Sequence, residues 1–101
     1  MSPKANLLIH EKYPDKQGNI AEIKIWIVPV SEHHPHGYKY SLVLIVKGKR
    51  VVGFDNERGK SDHKHIDGME LSYAFESIDK LLTDYNQTIK TWKEKHHDHQ
   101  S

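Results

Sequence analysis

Apolar and polar side chains alternate through most of the first 55 residues, which is the period of half-buried β-strands. The predicted strands cover residues 5–13, 20–30, 38–46 and 50–55. Turn residues separate them, and Lys47-Gly48-Lys49 predicts a hairpin because glycine takes a positive φ without strain. Connections this short make consecutive strands antiparallel neighbours.

The apolar period changes to that of a helix near residue 75. Ser77 is a suitable N-cap, and Asp79 in the first turn complements the helix dipole. The apolar stripe consists of Ile78, Leu81, Leu82, Tyr85, Ile89 and Trp92. We therefore predict an α+β fold, in which an antiparallel sheet of about four to five strands has one C-terminal amphipathic helix packed on a face. A short extended piece over residues 70–75 is the candidate fifth strand.

The composition restricts the class of protein. The 101 residues predict a single domain, with an ordered core at about residues 5–94 and a polar, histidine-rich tail at residues 95–101. A net charge of +1 argues against nonspecific coating of nucleic acid, although it allows a local basic site. The absence of cysteine excludes disulfides and cysteine-ligated zinc. No apolar run approaches the roughly 18 residues of a membrane span, and the N-terminus lacks a signal-peptide pattern. We expect a cytoplasmic protein with no membrane partner.

The segment from Asp55 to His65 concentrates groups that perform acid–base chemistry. It contains two histidines, three cations and three carboxylates within eleven residues. If the backbone is extended at its end, His63 and His65 point to one side, while Lys64 points to the other side beside Asp62. Two imidazoles suit metal-free cleavage of RNA, in which one takes the proton from the ribose 2′-OH and the other protonates the leaving 5′-oxygen. Free imidazole titrates near pH ~6.5, so both protonation states are available.

Several neighbours can support that chemistry. Lys60 or Arg58 can stabilise the charge that develops on the phosphorus oxygens, and Asp62 or Asp55 can orient an imidazole. Arg58 and Asn56 are also candidates for substrate binding.

Two other interpretations of this segment remain open. His63 and His65, together with Asp62 or Asp55, form a set of two histidines and one carboxylate that could bind a metal. The segment could also be a solvated polar loop whose charges neutralise each other.

Aromatic and basic residues near the second glycine turn are further candidates. Tyr38 and Tyr40 share a face and could stack on bases, or their rings could cover the sheet edge. Lys39, on the opposite face, could reach a phosphate or only solvent. His36 lies in a Pro/Gly turn, where a conformational role is as plausible as substrate binding. In the alternating pattern of its strand, Trp26 falls on the same side as the polar residues Glu22 and Lys24. It either packs under the helix or marks an exposed partner surface.

Three runs of residues resemble one known family. They are His36-Gly37-Tyr38-Lys39-Tyr40-Ser41, the run from Phe54 to Ile66, and Tyr73-Ala74-Phe75. The Asp-Asn…Gly-Lys-x-Asp-His-x-His pattern within the second run is the most specific part. With these motifs the chain resembles the TumE family, the toxin halves of prokaryotic toxin–antitoxin pairs, over about residues 5–92. Phe54 stands where many members are expected to have tyrosine.

The resemblance implies a toxin that arrests growth, together with a helix-turn-helix antitoxin that binds it. Small toxins of this size often cleave mRNA, so we expect a metal-independent endoribonuclease that needs no cofactor and acts on RNA. Two alternatives remain: a non-catalytic toxin that inhibits by occupying a target, and a metal-dependent hydrolase that uses His63 and His65. The oligomeric state is left open between a monomer and a homodimer.

Overall fold

A computed structural model of the chain describes residues 5–56 and 61–96. The six strands and one helix are β1 (Asn6–Pro14), β2 (Ile20–Ile27), β3 (Tyr38–Val46), β4 (Lys49–Asp55), β5 (His63–Ile66), β6 (Met69–Ser72) and α1 (Ile78–His96). The described strands form one antiparallel sheet in the order β1-β2-β3-β4-β5-β6. This confirms the predicted α+β class.

The described sheet has six strands instead of the predicted four to five. β6 overlaps the candidate fifth strand at residues 70–75, whereas β5 lies in the segment where the apolar period fails. Asp67 and Gly68 form a two-residue hairpin turn between them, with φ values of 49° and 85°. Lys47 and Gly48 form the equivalent turn between β3 and β4, with φ values of 53° and 78°. Two consecutive positive φ values match the right-handed twist of the strands on either side. Backbone pairing therefore makes β5 a strand, although its side chains are mostly polar.

The predicted helix is confirmed from its first residue to its last turn. The Ser77 hydroxyl accepts a hydrogen bond from the backbone N–H of Lys80 at 3.1 Å, which is the expected N-cap geometry. The stripe packs on the sheet, and the core consists of Ile23, Ile25, Tyr40, Leu42, Leu44, Val52, Phe54, Leu81 and Tyr85. The phenol of Tyr85 donates to the backbone carbonyl of Val43, which anchors the helix to β3. No helix in the described ranges is long and apolar enough to cross a membrane.

The register assigns each side chain to one of two faces. Leu42 in β3 lies opposite Phe54 in β4, and the Phe54 ring contacts the Tyr85 ring edge-on, so this face lies under α1. Residues of the opposite parity form the other sheet surface, which we call the open face. On β2 to β5 the open face carries Glu22, Lys24, Trp26, Lys39, Ser41, Val43, Gly53, Asp55, His63 and His65.

Candidate active site

The open face brings one carboxylate and two imidazoles together at the β4–β5 pair. Asp55 lies directly opposite His63, and Gly53 lies opposite His65. The His63 Nε2 atom is 2.8 Å from Asp55 Oδ1, and the His65 Nε2 atom is 3.8 Å from Asp55 Oδ2. The two rings are edge-to-face, with centroids 4.9 Å apart. The alternation of side chains along an extended strand thus puts both histidines on one side, as expected from their spacing.

Two polar groups lie beside the His63 ring. Its Nδ1 atom is 2.8 Å from the backbone carbonyl oxygen of Ser61, which can only accept, so Nδ1 donates this hydrogen bond. Its Nε2 atom is 2.8 Å from Asp55 Oδ1, so the carboxylate can pair with the ring whenever this nitrogen carries a proton. With 8% of its side chain exposed, His63 is buried in this position.

His65 has the opposite electrostatic environment. Burial lowers the pKa of its imidazole, and the nearby Arg50 guanidinium lowers it further, while Asp55 opposes both effects. The neutral form is therefore favoured at physiological pH. The site places an imidazole that favours its neutral form next to a second imidazole that faces a carboxylate, and two imidazoles can supply the base and the acid of general acid–base catalysis.

Arg50 is a member of this site that the sequence analysis missed. Its Nη1 atom is 3.7 Å from Asp55 Oδ2, and the side chain passes over Gly53. A Cβ atom on Gly53 would meet Arg50 Cδ at 3.0 Å, so the missing side chain makes room for the arginine. The only sequence signal is a glycine inside a strand, which often marks a close approach of another group.

A second polar cluster lies on the helix side of the sheet. His36 Nε2 is 2.9 Å from Asp62 Oδ2, and the Tyr40 hydroxyl donates to the same oxygen at 2.6 Å. The backbone N–H of Tyr38 donates to His36 Nδ1 at 3.3 Å, so His36 carries its proton on Nε2. The His36 ring also stacks on Phe75, with a centroid distance of 3.9 Å. Asp62 therefore orients His36, whereas Asp55 orients His63.

Burial changes the interpretation of two other candidates. Tyr40 is fully buried, so its ring offers no surface on which a base can stack. Asn56 is 1% exposed, and its side chain is hydrogen-bonded to the backbone of β3. Its side-chain oxygen accepts from the N–H of Tyr40, and its side-chain amide donates to the carbonyl of Tyr38, so these groups are not available to a substrate. Tyr38 is half-buried on the same face, whereas Lys39 lies on the open face.

Two predicted site residues, Arg58 and Lys60, lie outside the described residues. Within the described part of the chain, Arg50 is the cation that approaches the two histidines and Asp55.

The three residues Asp55, His63 and His65 also fit the donor set of a metal site. Their ligand atoms lie within 4.8 Å of one another. A carbonyl hydrogen bond to the far nitrogen of an imidazole, as on His63, is the usual support for a metal-binding histidine. The set could hold a borderline divalent metal such as zinc, whose ligands are imidazole nitrogen and carboxylate oxygen.

Comparison with known proteins gives one match. The family model described as toxin TumE matches residues 5–93. No curated protein and no solved structure matches the chain. The match includes the open-face cluster and the cluster on the helix side.

Proposed function

The chain belongs to the TumE toxin family, and we propose that it arrests growth as a metal-independent endoribonuclease acting on RNA in the cytoplasm. The observation that carries the proposal is the pair of imidazoles on the open face. One lies between the Ser61 carbonyl and the Asp55 carboxylate, and the other has a pKa lowered towards the neutral form.

His65 is the general base in this reaction. Its neutral imidazole takes the proton from the ribose 2′-OH, and the 2′-oxygen attacks the adjacent phosphorus. The Arg50 guanidinium stabilises the negative charge that accumulates on the phosphorus oxygens. The Lys60 ammonium remains a second candidate for this role.

His63 is the general acid. In the protonated form of His63, the Asp55 carboxylate 2.8 Å from Nε2 stabilises the positive charge. As the bond from phosphorus to the 5′-oxygen breaks, the leaving oxygen takes the proton from Nε2. The products are a 2′,3′-cyclic phosphate and a free 5′-hydroxyl, so no water and no metal enters the cleavage step.

The first test combines toxicity with the chemistry of the RNA ends. Tightly induced wild type should stop growth and create new RNA 5′-hydroxyl ends. The His63→Ala and His65→Ala variants should do neither. His33→Ala is the matched control, because His33 is an exposed loop histidine away from the cluster. Equal toxicity of both cluster variants and wild type would remove these histidines from the mechanism.

A metal-dependent hydrolase is the second candidate function, because Asp55, His63 and His65 form a compact donor set. The two mechanisms differ in their need for the 2′-OH. A metal-activated water can cleave a substrate with one 2′-deoxy sugar at the scissile position, whereas 2′-OH attack cannot. Cleavage of that substrate, lost on chelation and restored by a divalent metal, would favour the hydrolase.

The ratio of protein to inhibited target distinguishes a non-catalytic toxin, which acts by occupying its target, from the two enzymatic candidates. Turnover at a large excess of RNA over protein excludes simple occupancy. Inhibition that requires one protein per target molecule supports it.

We further propose a helix-turn-helix antitoxin as the partner, on the strength of the toxin family. Strand β1 is an edge strand and exposes Leu7, Leu8 and Tyr13 at 57%, 46% and 54%. Exposed edges accept an added strand or a docked helix. Co-purification with the product of the adjacent gene tests this pairing, and light scattering of the isolated toxin separates a monomer from a homodimer.

A further inference from the structure

A row of polar side chains crosses the open face and ends at the two histidines. Successive register partners along this row are Lys24, Ser41, Asp55 and His63 on β2, β3, β4 and β5. Neighbouring strands lie ~4.8 Å apart, so the row from Lys24 to His63 covers roughly 14 Å. A few nucleotides of an extended RNA strand fit this length.

An aromatic side chain lies beside the start of this row. Trp26 is half-buried on the open face, two residues along β2 from Lys24. The Lys39 ammonium lies over the Trp26 ring, 5.3 Å from its centroid, so a base that stacks on this face of the ring displaces the ammonium. An aromatic platform next to a cation is the combination that binds single-stranded nucleic acid, because bases stack on the ring while phosphates pair with the charge.

The charges of the open face lie in close pairs. The carboxylate of Glu22 accepts a hydrogen bond from His10 at 2.9 Å, which holds its pKa below the usual value, and Lys24 Nζ lies 3.9 Å from the same carboxylate. The carboxylate of Asp55 lies 2.8 Å from His63 and 3.7 Å from Arg50. Glu70 on β6 lies opposite His65 on this face. The phosphates of a bound strand would compete with these carboxylates for Lys24 and Arg50, which lie on this face together with Lys39.

We propose that the open face between Trp26 and His65 is a track for single-stranded RNA that runs across the strands. One base stacks on Trp26, Lys24 and Lys39 contact phosphates, and the chain continues over Ser41 to Asp55 and the two histidines. The track rests on the proposed function for the identity of the RNA-cleaving site, but binding along it requires no cleavage.

Binding is measured with a labelled, 2′-O-methylated single-stranded RNA, which lacks the 2′-OH and cannot be cut by the proposed chemistry. Base stacking on an aromatic ring is worth about 1–3 kcal/mol, so Trp26→Ala should weaken binding by about 5- to 150-fold. Lys24→Ala should weaken it less. Tyr13→Ala, an exposed aromatic on β1, and Lys90→Ala, an exposed lysine on α1, are the matched controls and should bind as wild type does.

A second readout does not depend on the folding of an alanine variant. The chain has two tryptophans, so Trp92→Phe leaves Trp26 as the only indole. Saturating RNA should quench its fluorescence. Unquenched Trp26 fluorescence at saturation, or unchanged affinity in Trp26→Ala, overturns the track.

The results separate the track from the enzyme. If wild type binds through Trp26 but cleaves no RNA, the track stands and the endoribonuclease proposal fails. If wild type cleaves RNA while Trp26→Ala leaves both affinity and KM unchanged, the enzyme stands and the track is wrong. If Trp26→Ala loses antitoxin binding with unchanged RNA affinity, the open face is a protein interface and the track is likewise wrong.

Discussion

At the scale of single residues, the environment of His65 would control the pH range in which the proposed endoribonuclease is active. A general base must be neutral, so the acid limb of kcat/KM reports the pKa of His65 in the free enzyme. Burial and Arg50 lower that pKa from the ordinary 6.5. The enzyme should therefore keep its base in the active form at mildly acidic pH.

Arg50→Met should move this acid limb to higher pH, because it removes the positive charge that opposes protonation of His65. The measurement is the pH dependence of kcat/KM for a defined RNA, with Lys47→Met as a control for loss of a cation elsewhere. The maximal rate should also fall, since Arg50 stabilises the phosphorus oxygens. A limb that stays in place or moves to lower pH contradicts the assignment of His65 as the base.

The same lowered pKa links the stability of the fold to pH. A histidine whose pKa is lower when folded is neutral in both states well above pH 6.5, but below that pH the unfolded chain binds the proton more readily. The free energy of unfolding therefore falls as the pH falls from 6.5 towards the pKa of His65 in the folded protein.

His65→Gln should flatten the decline of the unfolding free energy in this window. Part of the decline should remain, because burial also lowers the pKa of His34. Urea unfolding of wild type and variant at a series of pH values measures how the unfolding free energy declines with pH. An equally steep decline in the variant would show that His65 is not the source.

At the scale of elements, β5 is a polar strand that its connections hold in place. The residue before it, Asp62, accepts hydrogen bonds from Tyr40 of β3 and from His36. The backbone N–H of Tyr73, just after β6, donates to the Asp62 carbonyl at 3.2 Å. The cluster on the helix side thus anchors the start of the strand that presents His63 and His65 on the open face.

Tyr40→Phe should destabilise the fold by about 1.5–3 kcal/mol, since it removes a buried hydrogen bond to a charged group. Burial, and after it the hydrogen bond to Asp62, raises the pKa of Tyr40, so the phenol stays a donor at all physiological pH values. Tyr13→Phe is the control, because its phenol bonds Glu11 at an exposed position and should contribute little. Equal urea midpoints for the two variants would contradict the anchoring role.

At the scale of the whole molecule, the near-neutral charge limits how the proposed RNA substrate can be held. The net charge is +1, so attraction must come from the few cations of the open face rather than from a general positive field. The chain differs in this respect from strongly basic ribosome-dependent nucleases.

RNA affinity should therefore depend only weakly on salt. Each phosphate contact to a single strand contributes a slope of ~0.7 in a plot of log affinity against log salt, so contacts from Lys24, Lys39 and Arg50 predict a total slope of about −2. Titration of the 2′-O-methylated RNA at several salt concentrations measures the slope. A value steeper than about −4 would require more phosphate contacts than these three cations can make.

The sequence determined the elements with a strong local period, whereas the tertiary structure decided the site. The local signals are the alternation over β1 to β4, the Lys47-Gly48 turn, and the apolar stripe of the helix that follows the Ser77 N-cap. The structure confirms these elements apart from shifts at their ends. β5 was missed because it depends on pairing with β4, whereas β6, which pairs with β5, overlaps the extended piece predicted at residues 70–75. Asp67-Gly68 was a readable hairpin signal between the two. Spacing alone predicted that His63 and His65 share a side. Spacing also predicted that Asp62 lies on the other side of the sheet. It could not predict that Asp62 binds His36, that Asp55 lies against His63, or that Arg50 lies over Gly53, because register and packing across strands determine those contacts.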